Sequence, residues 1–284
     1  MSVRSRPLRA VTARRSRSRD AAALGTPLVI VPPAVLAVLF LLLPTLALLI
    51  RTPWGSIGEI YRDQGVWTAL RLSATSSLEA TAASLAFGVP LAWMLARFRM
   101  PGMGIIRAIV TIPLVLPPVI GGVALFAAFG RNGILGRPIH TVLGMDIPFT
   151  YPAIVIAQTF VSMPFLVVTV EGAFRIADRG IEEAAATLGA SRTRIFTRIT
   201  LPLVFPAIVA GSVLCWARAL GEFGATLLFG GNLPGVTQTL PTLVLKIFQT
   251  DPSAAPALAL PLMMVAIVVL GALRDKWLRP AASA

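Results

Sequence analysis

The chain has 284 residues, of which 56% are hydrophobic and only 13% are charged. A soluble domain carries about 25% charged residues, so this composition excludes an ordinary soluble protein. The apolar residues also form long blocks, and a helix that crosses a bilayer needs about 20 of them. Lipid cannot hydrogen-bond to the backbone, which leaves helices as the natural spanning element. We therefore expect an all-α integral membrane protein.

The formal net charge of +13 raises the alternative of a nucleic-acid-binding protein. The arginines stand at the ends of the apolar blocks, however, where they set membrane topology, so no nucleic-acid partner is expected. Cys215 is the one cysteine and His140 the one histidine, which excludes an internal disulfide and a histidine-based metal cluster. The sequence also has no phosphate-binding loop and no catalytic group, so the chain is predicted not to be an enzyme.

Six apolar blocks are predicted to be membrane-spanning helices. A basic, arginine- and serine-rich tail over residues 1–27, predicted to be disordered, precedes the first block at 28–50. That block is too long for a signal peptide, so we expect a retained helix that, with an external loop, makes up residues 28–65. The second block, 66–96, carries small residues, which suit close helix packing. These small residues are Ser73, Ala74, Ser76, Ser77, Ala80, Ala83 and Ser84.

The third block, 105–129, contains several residues that disturb helices. Prolines break the helical hydrogen-bond ladder, so this third helix is predicted to be kinked or interrupted. The disturbing residues are Pro113, Pro117, Pro118, Gly121 and Gly122. The last three blocks lie at 150–174, 203–228 and 252–273. Residues 66–273 would form a core of five helices, followed by a short tail at 274–284.

Six spans place both chain ends on one side, and the positive-inside rule assigns that side to the cytoplasm. With the termini inside, eighteen Lys and Arg residues fall in inside segments and five in outside segments. The inside set is Arg4, Arg6, Arg9, Arg14, Arg15, Arg17, Arg19, Arg97, Arg99, Arg107, Arg175, Arg179, Arg192, Arg194, Arg198, Arg274, Lys276 and Arg279. The outside set is Arg51, Arg62, Arg131, Arg137 and Lys246. The polar segment at about 175–202 is therefore predicted to be cytoplasmic.

That polar segment has a regular pattern. Glu183-Ala184-Ala185 is followed after three residues by Gly189, and after nine more by Ile199-Thr200-Leu201-Pro202. Residues 182–190 are predicted to form a short helix that Gly189 ends, because glycine readily takes the left-handed conformation there. Pro202 suits the first turn of the fifth helix, where its missing N–H costs nothing. The pattern indicates a surface that another protein grips; a solvated loop helix is the alternative.

The spacing resembles the E-A-A loop of ATP-binding-cassette (ABC) importer permeases, and the general resemblance extends over about 69–273. It implies a type I importer permease fold with six transmembrane helices in the inner membrane of a bacterial cell. It also implies a homodimer with two cytoplasmic ATPase subunits, which would use ATP and Mg, and a periplasmic or lipid-anchored binding protein. No cofactor is expected on this chain. The residues that would couple it to the ATPase are Glu183, Ala184, Ala185, Gly189, Ile199, Leu201 and Pro202.

Three ionisable residues fall inside predicted spans. Arg218 and Glu222 lie four residues apart in the fifth helix, and Glu79 lies in the second. Such residues are costly in lipid and usually face a bundle interior or a water-filled cavity. Arg218 and Glu222 could therefore form a satisfied pair that locks helices, or they could line the permeation path. Glu79 poses the same choice, with locking favoured by the serines and threonines nearby.

The residues around Arg218 carry a second resemblance. The run 217–228, A-R-A-L-G-E-F-G-A-T-L-L, is similar to molybdate and to sulfate/thiosulfate permeases, and its continuation at 231–241, G-N-L-P-G-V-T-Q-T-L-P, is closer to the molybdate branch. This resemblance implies import of molybdate and assigns no anion-coordinating residue. The alternatives are a sulfate, thiosulfate or tungstate permease. From a different class, an ion-coupled secondary transporter would suit the interrupted third helix.

Overall fold

The computed structural model describes residues 28–98 and 100–277, and every regular element within those ranges is helical. The predicted tail at 1–27 and Arg99 lie outside the described residues. The chain divides into two units, the first of which ends at Arg51. The described part of the first unit is a 3-10 turn at Leu28–Ile30 and helix α1, Val31–Arg51. The predicted external loop after residue 51 falls in the second unit.

The second unit contains eleven described α-helices and two π turns. The helices are α2 (Ile57–Ile60), α3 (Gln64–Arg97), α4 (Met103–Val115), α5 (Pro118–Phe129), α6 (Gly136–Leu143), α7 (Tyr151–Ile176), α8 (Arg179–Thr187), α9 (Arg192–Ile195), α10 (Leu201–Leu220), α11 (Leu240–Thr250) and α12 (Ala255–Trp277). The π turns lie at Phe196–Thr200 and Thr226–Gly230.

Among the residues that the structure describes, four helical runs are long and apolar enough to cross a membrane: α1, most of α3, α7 and the run Arg192–Leu220 that ends with α10. The shorter apolar helices α4 and α5 occupy the predicted third span, and α12 occupies the sixth. Helix α12 continues to Trp277, four residues beyond its predicted limit. The rest of the predicted tail, from residue 278, lies outside the described residues.

The predicted disturbance of the third span is confirmed as a complete break. Leu116 and Pro117 have extended backbone, with ψ of 128° and 131°, and they separate α4 from α5. Pro118 then opens α5, where its missing N–H has no helical partner to lose. The predicted third span therefore consists of two short helices.

The core of the second unit lies where α3, α7 and α10 pack together. Leu166 and Phe174 of α7 are fully buried there. Glycines bring the helices close, because a Cβ at Gly88 or Gly211 would stand only 3.2 or 3.1 Å from the Leu166 side chain. Five of the seven small residues singled out in α3 are buried as expected, namely Ser73, Ser76, Ser77, Ala80 and Ser84, whereas Ala74 is exposed and Ala83 half-buried.

The predicted fifth helix, 203–228, is wrong at its C-terminal end. Helix α10 ends at Leu220, so Glu222 lies beyond it and not within it. The apolar run continues past that point, but the Glu222 carboxylate accepts a hydrogen bond from the Ala225 N–H at 2.8 Å and starts a new turn. That turn leads into the π turn at Thr226–Gly230.

Candidate functional site

Helix α8 carries the E-A-A residues and has a well-defined start and end. The Asp178 carboxylate accepts a hydrogen bond from the Gly180 N–H at 2.8 Å, which caps the N-terminus. At the other end Gly189 has a φ of +83°, its N–H donates to Ala186, and the Ala190 N–H donates to Ala185. These two bonds form a Schellman motif, so the predicted role of Gly189 as a helix terminator is confirmed.

Most of the predicted coupling residues lie on the surface. Glu183, Ala184 and Gly189 are exposed, and Ala185 is half-buried. Leu188, which the sequence pattern did not single out, is 88% exposed. Leu188 and its small neighbours therefore leave this face of α8 open to contact by another molecule.

The second half of the motif lies next to α8. Ile199 and Pro202 line a shallow pocket of about 300 Å³ together with Ile181 of α8, and Arg198 and Leu203 complete it. Leu201 packs against the core of the second unit. The Leu201 N–H bonds to the carbonyl of Phe196, five residues back, so the hydrogen-bond ladder is already widened where Pro202 stands.

One carboxylate that sequence reasoning missed joins α8 to the helix bundle. The Glu182 Oε1 atom accepts a hydrogen bond from Arg97 Nη2 at 2.6 Å and another from Thr200 Oγ1 at 2.9 Å. The Arg97 side chain is 9% exposed and that of Glu182 is 22% exposed, while Thr200 is buried. We call these three residues the α8 junction. Arg97 and Glu182 are 85 residues apart, so no local spacing predicts their contact.

Aromatic packing supports the α8 junction from the side of α3. The Trp93 ring meets Phe196 edge-on at 5.7 Å and Phe98 at 5.3 Å, measured between centroids. Phe196 opens the π turn that ends at Thr200. The C-terminal end of α3 therefore contacts the start of α10 both through rings and through Glu182.

A second ion cluster lies nearby and does not include α8. The Glu171 carboxylate, buried in α7, accepts from Arg107 of α4 at 2.8–2.9 Å and from Arg175 at 2.7 Å. Arg107 also donates to the Leu95 carbonyl of α3 at 3.1 Å. The four-residue spacing of Glu171 and Arg175 could have indicated part of this cluster.

Arg218 and Glu222 form an ion pair, with 2.6 Å between Nη1 and Oε2. The Glu222 side chain is 1% exposed and that of Arg218 is 27% exposed. Because the other carboxylate oxygen of Glu222 holds the Ala225 N–H, both oxygens have a partner. Glu79 is exposed on α3 and accepts a hydrogen bond from the Tyr151 hydroxyl at 2.9 Å. Whether these three residues lock helices together or line the permeation path stays an open prediction.

The segment that resembles molybdate permeases, 231–241, is held by its own polar groups. Thr237 Oγ1 accepts from the Leu233 N–H at 3.0 Å, and the Gln238 amide donates to Asn232 at 3.0 Å. The Leu240 N–H donates to Ser73 of α3 at 2.7 Å. Thr237 is fully buried and Gln238 nearly so. Much of this motif therefore serves the fold of the subunit itself.

Comparison with known proteins places this architecture in a family. A model of the family described as the binding-protein-dependent transport system inner membrane component matches residues 88–283. That range is more than half of the sequence, and the chain belongs to this family of ABC importer permease subunits, which are multi-pass inner-membrane proteins.

Individual relatives are similar over most of their length. The molybdenum transport system permease protein ModB of Mycobacterium tuberculosis is 46% identical over 240 residues, which cover 84% of this chain and 90% of the relative. The sulfate transport system permease protein CysT of Escherichia coli is 32% identical over 265 residues, 92% and 93% of the two chains. A chain of a bacterial alginate ABC transporter, crystallised with an alginate pentasaccharide-bound periplasmic protein, has a TM-score of 0.67 at 17% identity, covering 92% of this chain and 97% of that one. That likeness shows the fold.

Proposed function

We propose that the chain is the membrane subunit of an ATP-driven importer that carries molybdate into the cytoplasm. The observation that carries the proposal is the surface of α8, where exposed Leu188 and small residues leave room for a partner. The same helix is joined to the bundle through Glu182. A helix that is free on one side and anchored on the other can pass a movement of its partner to the spanning helices.

The partners follow from the division of labour in such a machine. Two cytoplasmic ATPase subunits would bind ATP and Mg, and this chain would hold no cofactor. A second copy of the chain would complete the path, and a periplasmic or lipid-anchored protein would deliver the anion. The bias of arginines supports cytoplasmic termini and, with them, a position of α8 on the side where ATP is available.

Transport would then be a switch between two arrangements of the same helices. Nucleotide binding would stabilise one arrangement through α8, and the loaded binding protein would stabilise one through the outer loops. No bond in the anion is made or broken, so the chain needs only to open a polar route first on one side and then on the other.

Assembly with an ATPase is tested by cross-linking from α8. Ala184→Cys places a thiol on the exposed face, while native Cys215 is buried and contributes little background. Thr141→Cys, exposed on α6, is the matched control, because α6 is predicted to lie on the outer side. We expect a cross-linked ATPase from residue 184 and none from residue 141. Absence of an ATP-hydrolysing partner at residue 184 in intact cells would contradict the proposal.

The choice of anion rests on the greater identity to a molybdenum permease than to a sulfate permease, 46% against 32%. Cells that lack their own importer should take up radiolabelled molybdate when they express this chain with its partners. Tungstate, which has nearly the same size and charge, should compete. Equal competition by sulfate would assign the chain to the sulfate/thiosulfate permeases instead.

A further inference from the structure

Two neighbouring glutamates on α8 have opposite surroundings. Glu183 is exposed, whereas Glu182 is turned towards the bundle and accepts two hydrogen bonds on a single oxygen. Successive residues of a helix point about 100° apart, so one position can face a partner while the next faces the bundle. Glu183 is thus free to face a partner, while Glu182 attaches α8 to the helix bundle.

The α8 junction connects three elements at one atom. Arg97 ends α3, Glu182 belongs to α8, and Thr200 ends the π turn before α10. The two hydrogen bonds are short, and the donors are largely buried. Separating α8 from α3 would leave the largely buried Arg97 charge without its partner, which makes the separation unfavourable.

Arg97 has no second attachment of this kind in the described part of the chain. Its Nε and Nη1 atoms are buried and have no hydrogen-bond partner there, so Nη2 alone connects its guanidinium to the rest of the protein. The ionic connection from α3 to α8 therefore depends on Glu182. The Glu171 cluster joins α3, α4 and α7 and leaves α8 out.

We propose that Glu182 is a positioning residue for coupling: through Arg97 and Thr200 it makes α8, α3 and the start of α10 move together. The inference rests on the proposed function, since it assigns the route by which an ATPase would move the spanning helices. It predicts that loss of the α8 junction separates ATP hydrolysis from transport while α8 still binds the ATPase through its exposed face.

The test measures molybdate taken up per ATP hydrolysed by the full complex in vesicles. Glu182→Ala should lower that ratio by at least about fivefold, the low end for coupling between two sites. Thr200→Val keeps the ion pair and removes one hydrogen bond, so it should lower the ratio less. Thr200→Ser keeps the hydroxyl group and should leave the ratio unchanged. Amounts of co-purified ATPase should stay unchanged. Glu171→Gln is the matched control, because it weakens the other cluster and should lower thermal stability without lowering the ratio.

The outcomes separate this inference from the proposed function. If the unmodified complex shows no ATP-driven uptake, the proposed function fails. If it transports normally and both Glu182→Ala and Thr200→Val keep the normal ratio, the α8 junction is not a coupling element. An equal loss of the ratio in Glu171→Gln would also overturn the inference, because any weakening of this end of the bundle would then suffice.

Discussion

Gly122 of α5 lies directly against Ala225, in the turn that follows α10. A Cβ at position 122 would stand 3.1 Å from both the Cα and the carbonyl oxygen of Ala225, and 2.9 Å from the Leu228 Cβ. Backbone atoms cannot rotate away as side chains do. Gly224 meets Pro118 and Val119 of α5 equally closely. The two segments thus touch backbone to backbone, a contact that small residues allow in membrane proteins.

Gly122→Ala should therefore destabilise the subunit by about 1–3 kcal/mol, the usual effect of overpacking a tight contact. Gly172→Ala in α7 is the control, because no atom beyond the adjacent backbone of α7 lies within 4 Å of the new methyl group. It should be neutral or stabilise by about 0.5–1 kcal/mol, since alanine is the better helix former. Thermal unfolding of the purified protein in detergent measures both. Equal stability of the two variants would contradict the close approach.

Arg218→Ala should be more harmful than replacement of both members of the ion pair. The single change leaves the Glu222 carboxylate, 1% exposed, without its cation, and such breakage costs about 3–5 kcal/mol. Arg218→Met with Glu222→Gln removes both charges and should recover part of that loss in a double-mutant cycle. If the double variant is no more stable than Arg218→Ala, the unpaired Glu222 charge is not the cause of the stability loss.

Uptake by the same double variant separates the two roles that remain open for this pair. Normal molybdate uptake per folded molecule would identify a pair that locks the chain after α10. Loss of uptake by a stably folded double variant would identify groups that line the path.

Gly189→Pro should abolish coupled uptake while the protein still inserts. Proline holds φ near about −65°, far from the observed +83°, and it removes the N–H that bonds to Ala186. Gly189→Asn is the matched control, because asparagine enters the left-handed region more easily than other side chains. Uptake and membrane insertion, measured in parallel, check this prediction. Full uptake by the proline variant would count against a coupling role for α8.

Leu188→Asp should separate assembly from stability. The side chain is 88% exposed, so its replacement should change the stability of the isolated subunit by no more than about 0.5 kcal/mol. If α8 seats on an ATPase, the buried aspartate should abolish co-purification. Thr187→Asp, at an exposed neighbouring position, controls for the added charge. Unchanged co-purification of the Leu188 variant would place the docking surface elsewhere.

Local rules predicted what local chemistry decides. The break at Leu116–Pro117 and the end of α8 at Gly189 follow from proline and glycine alone, and both are observed. The buried serines of α3 likewise follow from the need of membrane helices for small contact residues. In each case one residue type has few backbone or packing alternatives.

Side-chain contacts that the hydropathy pattern does not encode decided the rest. The end of α10 at Leu220 was missed because hydropathy continues, while the new turn depends on where the Glu222 carboxylate finds an N–H. The sequence pattern indicated Glu183 and not Glu182, because the partners of Glu182 lie 85 residues before it and 18 after it. Spacing along the chain does not predict contacts between residues this far apart.

The exposed side chain of Leu188 also has a consequence for the lifetime of the subunit before assembly. If α8 seats on an ATPase, a newly made copy without that partner would expose an apolar side chain to the cytosol, where chaperones and proteases act on incompletely assembled proteins. Cells would then have to balance production of the two polypeptides. Pulse-chase measurements with and without the ATPase subunit would show whether the unassembled permease subunit is degraded faster.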